Sequence, residues 1–67
     1  MLTRIKDYWC DGKPEESDLI DAMIFARDWK CIVRIHWHDK HYGNMSINVK
    51  HDSKLTELKQ KVCKKYI

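Results

Sequence analysis

The chain has 67 residues, 43% of them hydrophobic and 34% charged, with a formal net charge of +3. That balance suits one globular domain and excludes a disordered tail, while no apolar run nears the ~20 residues of a bilayer span. A domain this small hides only about 60% of its unfolded surface and often needs a metal ion or a second subunit as a staple.

Charge is unevenly placed. Residues 1–30 hold five basic and seven acidic side chains, residues 31–67 eight basic and three acidic. Such a dipolar molecule orients toward charged partners. The start MLTRIKDYW lacks the features of a secretory signal, so a cytoplasmic protein is expected. Cys10, Cys31 and Cys63 show no disulfide spacing and are expected to be reduced thiols.

In chain order, the opening segment LTRIKDYW is ambiguous: Leu2, Ile5 and Trp9 keep helical spacing, yet the flanks also suit a third strand. The run KPEESDLIDAMIFARDWK predicts a helix over about 14–29, opened by Pro14, Glu15, Glu16 and Ser17. Leu19, Ala22, Met23 and Ala26 form its apolar stripe with Ile20 and Ile24 beside it, and Asp18, Asp21 and Asp28 gather opposite. Phe25 falls on that acidic side, where either the N-terminal segment covers it or it anchors a partner.

CIVRIHWH alternates with period two and predicts a strand over about 31–38, with Cys31, Val33, Ile35 and Trp37 inward and Ile32, Arg34, His36 and His38 outward. After DKHYGN, where Gly43 and Asn44 suit positive φ, a second strand over about 45–50 turns Met45, Ile47 and Val49 inward. Asp52 or Ser53 is expected to cap a final helix over about 54–66 with Leu55, Leu58, Val62 and Tyr66 on one stripe. Lys61, Lys64 and Lys65 suit the negative end of its dipole. The expected fold class is α/β of the α+β kind: one domain, residues 1–67, in which two helices cover a β-hairpin. The hairpin leaves an open edge on which two copies could pair as a homodimer.

Nucleophilic catalysis needs a Cys or Ser beside an oriented His in a water-excluding cleft, and no phosphate loop or nucleophile elbow is present, so no enzyme is expected. A structural zinc is the sharpest chemical expectation. The hairpin topology gathers Cys10, His38, His41 and Cys63 at the turn, with His36 as substitute, and Cys31 stays a small hydrophobe at the far end. Direct nucleic acid binding has the lysine-rich last helix, with Lys59, Lys61, Lys64 and Lys65, in its favour, but Trp37 is needed in the core. Binding to a protein partner, through Asp18, Asp21, Phe25 and Asp28 or through those lysines, is the leading class.

The size, lysine-rich composition and helix-hairpin-helix order resemble small proteins of phages and mobile elements. Within them, DLIDAMIFARDWKCIVRIHW followed by a turn and MSINVK resembles the layout of some type II anti-CRISPR proteins. The resemblance implies an inhibitor that works in a host bacterial cytoplasm, where it docks on a host CRISPR effector nuclease and blocks target DNA loading or cleavage. Inhibitors that mimic DNA are strongly acidic, whereas this chain is net basic, so duplex mimicry by the whole surface is not expected. The alternative is a small nucleic-acid-binding accessory or regulatory protein using the last helix.

Overall fold

The computed structural model describes residues 4–66. They fold as a small α+β domain with the order β1 (Ile5–Trp9), α1 (Glu16–Trp29), β2 (Ile32–Asp39), β3 (Gly43–Val49) and α2 (Leu55–Lys64). The expected hairpin and its two helices are present. The open choice for the N-terminal segment resolves as a third strand, and Leu2 lies outside the described residues. Five residues are too few to hold a helix in water, whereas extended they add a ladder to β2.

The sheet order is β1-β2-β3, with β1 parallel and β3 antiparallel to the central β2. A parallel neighbour needs a crossover, and α1 supplies it. Its start is secured where the Asp18 carboxylate accepts the Glu15 N–H at 2.9 Å. It ends at Lys30, which adopts the left-handed conformation at φ 49°, while the Cys31 N–H donates to the Ala26 carbonyl at 3.1 Å. The side chain of a lysine is crowded there, and glycine is the usual occupant.

Period two sorts β2 cleanly. Val33, Ile35 and Trp37 are buried, and Ile47 and Val49 lie beside them on β3. Leu19, Ala22 and Ala26 of α1 and Leu58 and Val62 of α2 roof that face, with Met23, Met45, Leu55 and Tyr66 packed at the margin. Cys31 closes the far end of this core as a buried thiol. Ile20 and Ile24 are exposed on the outer side of α1.

Two local expectations are corrected. Gly43 takes positive φ (80°), but Asn44 does not: it is extended in β3, opposite His38. The bend is held instead by Asp39, whose Oδ1 accepts the N–H groups of His41 (2.8 Å) and Tyr42 (3.1 Å). Neither Asp52 nor Ser53 caps α2. Lys54 occupies the cap without a side-chain bond, and Ser53 Oγ accepts the Lys50 N–H at 2.8 Å, which closes the preceding turn.

The hairpin tip is tied to the end of α2 by aromatic groups. The Trp37 indole N–H donates to the Tyr66 hydroxyl at 2.8 Å, so the one polar atom of the buried ring is satisfied. Tyr42 meets Tyr66 edge to face at 5.5 Å, and Lys13 Nζ lies 5.1 Å from the Tyr66 ring centre. Among the described residues no helix is long and apolar enough to cross a membrane.

Candidate functional site

The four residues expected to hold zinc occupy separate settings. Cys10 follows β1, is partly buried against the core, and donates its N–H to the His36 carbonyl at 2.8 Å. Burial pushes its thiol above the ordinary value, and the carboxylates of Asp18 and Asp11 push the same way, so at neutral pH it is protonated. His38 stands on the open sheet face with Nδ1 3.1 Å from Asn44 Oδ1. His41 is exposed in the turn. Cys63 is exposed on α2, one position past the buried Val62 and so turned off the core stripe. The topology does bring Cys10 and the end of α2 toward the tip. Among the described residues, however, no three His, Cys, Asp or Glu side chains gather as a metal-holding group.

The acidic patch of α1 is divided. Asp21 and Asp28 are exposed, Asp28 beside Arg27 at 3.5 Å. Asp18 is engaged at the helix start and accepts the Tyr8 hydroxyl at 3.3 Å, and its charge raises the Tyr8 pKa, with smaller contributions from burial and Cys10. Lys59 pairs with Glu16 at 2.9 Å across the two helices, and Lys61, Lys64 and Lys65 lie along α2 beside β3.

Phe25 is only partly covered by the N-terminal segment. It borders β1 in two small grooves, one shared with Lys6, Tyr8 and Val33 and one with Arg4 and Ile5, and yet is 37% exposed. One helical turn on, Trp29 stacks against it at 5.8 Å and is 70% exposed. The two rings make an apolar ridge where α1 meets the outer edge of β1, while Ile5 turns its side chain to the other face of the sheet. Sequence reasoning singled out Phe25 and overlooked Trp29, although the i, i+4 spacing of two aromatic residues was a readable signal.

The uncovered sheet face was also missed as a unit. The parallel register sets Trp9 beside His36, and their rings stack at 4.3 Å with 17° between planes. His36 Nε2 donates to Asp7 Oδ1 at 2.7 Å, since an ionised carboxylate only accepts. Beside them Arg34 Nε donates to Asn48 Oδ1 at 3.1 Å. The face is therefore a polar network topped by one indole that is 73% exposed. No sequence spacing reveals this cluster, because it depends on which β1 residue falls opposite which β2 residue.

Comparison with family models, with curated proteins and with solved structures gives no match to this chain.

Proposed function

We propose that the chain acts by stoichiometric binding to a protein partner, as a phage or mobile-element inhibitor of a host CRISPR effector nuclease, and that it docks through the ridge of Phe25 and Trp29. The observation that carries the binding class is this ridge. Aromatic side chains held in water beside an open strand edge are the usual anchors of protein interfaces. What supports an effector nuclease as that partner is the resemblance of the helix-and-hairpin layout to type II anti-CRISPR proteins. A structural zinc at Cys10, His38, His41 and Cys63 would be an added staple and is not needed for docking through the ridge.

The test is an interference assay beside a binding measurement on purified effector. The wild-type chain should protect target DNA, and the Phe25→Ala/Trp29→Ala variant should bind about tenfold or more weakly while remaining folded. Undiminished binding by the variant would remove the ridge from the interface. Absence of protection by the wild-type chain would remove the CRISPR partner.

A second reading, single-stranded nucleic acid binding, is favoured by Trp9, whose exposed ring on an open sheet face beside Arg34 is suited to stack on an unpaired base. Affinity for short single-stranded DNA that falls steeply with salt and is lost in Trp9→Ala would support it.

A further inference from the structure

The sheet has two free edges, and they differ in chemistry. The outer edge of β1 carries Lys6 and Asp7, charges that discourage stray pairing, whereas β3 reads GNMSINV without a charge or a proline. Two backbone bonds show which groups of β3 are free. The Ile32 N–H reaches the Arg4 carbonyl at 2.9 Å, and the Cys10 N–H reaches the His36 carbonyl at 2.8 Å. Even-numbered residues of β2 thus turn their backbone toward β1, and odd-numbered ones toward β3. Their partners Met45, Ile47 and Val49 are thereby occupied, and Asn44, Ser46 and Asn48 direct N–H and C=O away from the sheet. Among the described residues, no backbone group outside the sheet bonds to this edge.

Three cations lie over it. Ser46, Ile47 and Asn48 share a shallow groove with Lys61, Lys64 and Lys65, and among the described residues none of these lysines makes an ion pair. The dipole of α2 accounts for cations at its C-terminal end, but that end could lie anywhere; here it runs beside the one uncharged edge. A second copy is a poor occupant. Antiparallel β3–β3 pairing about Ser46 would bring two lysine triplets together across the axis, and like charges there oppose association.

We propose that the β3 edge receives an extended acidic peptide segment as a fourth strand, with carboxylates at alternate residues. Those on the helical side meet Lys61, Lys64 and Lys65, and the intervening side chains lie on the open face near Asn44 and Asn48. Backbone pairing supplies attachment, and the lysines supply selectivity for charge and register. Nucleic acid offers the same negative charge but no peptide ladder, which is why the uncharged edge favours protein. This surface is separate from the Phe25–Trp29 ridge and stands or falls independently of it.

The probe is a labelled nine-residue peptide alternating glutamate with threonine, compared by fluorescence anisotropy with its lysine counterpart and with a version carrying proline at two central positions. Only the first should bind, and amide exchange at Asn44, Ser46 and Asn48 should slow in the complex. Lys61→Glu/Lys64→Glu/Lys65→Glu should weaken binding about tenfold. Ser46→Pro should abolish it, since the Ser46 N–H faces outward and its loss spares the β2 ladder. Equal binding of the proline peptide would reduce the effect to simple charge attraction and overturn the proposal. So would displacement of the acidic peptide by single-stranded oligothymidine with no change in amide exchange at the edge, or a dimer of the free chain in sedimentation that already protects those amides.

Discussion

Trp37 and Trp9 lie on opposite faces of one sheet, at 2% and 73% exposure. Trp37 is enclosed by apolar side chains and has its indole N–H bonded to Tyr66; Trp9 rests on His36 with its far side in water. The contrast shows how a small domain divides its largest hydrophobes. One secures the fold and the other is left in water, because two helices can roof only one face of three strands.

The division is broken most directly by truncating each ring. Trp37→Ala should cost about 3–5 kcal/mol, comparable with the roughly 3–10 kcal/mol that holds a chain of this length, and urea melts should find the variant largely unfolded at 25 °C. A milder probe, Tyr66→Phe, leaves the buried indole N–H without its acceptor. It should cost about 1–3 kcal/mol in the same melts, and a neutral result would mean that water reaches the ring. Trp9→Ala should shift stability by less than about 1 kcal/mol, since it removes one stacked surface contact. A loss as large as that of Trp37→Ala would place Trp9 in the folding core and end the contrast.

The smallest effect concerns pH at the hairpin tip. The backbone N–H of His41, and to a lesser degree that of Tyr42, favours the Asp39 carboxylate, so its pKa lies below the ordinary value of about 3.9. A lowered folded-state pKa stabilises the protein above the unfolded value, and the contribution is lost as pH falls through the lowered one. Melting temperatures of the wild-type chain should therefore drop in strong acid by slightly more than those of Asp39→Asn. Parallel curves would mean that the turn is held without the charge.

How far the fold was legible follows from which residues have one consistent environment. In β2 the two faces differ sharply, so alternation alone separated Val33, Ile35 and Trp37 from Arg34, His36 and His38. In β1 the pattern is inverted. Ile5 and Trp9 point to the open face and Lys6 and Tyr8 to the helical side, because α1 only partly covers an edge strand and both sides remain wet. Polarity could not decide such a segment between helix and strand. The two ends of the molecule fall as expected, with Cys31 at one and Cys10 and the end of α2 near the other. Chain topology fixes which end an element reaches but not where its Cβ points, and Cys63 shows the difference.

The parallel partnership of β1 with β2 has a kinetic consequence. The hairpin closes over a few residues and should form within microseconds, whereas β1 must wait for the whole intervening helix before its first rung can close. With every one of its residues at the surface and bonds on one flank only, it should also fray first, and its amides should exchange sooner than those of β3 facing β2. Each such opening bares the β1 side of the central strand for an instant, which is the moment when a foreign strand, or the same segment from a neighbouring molecule, could slip into its place.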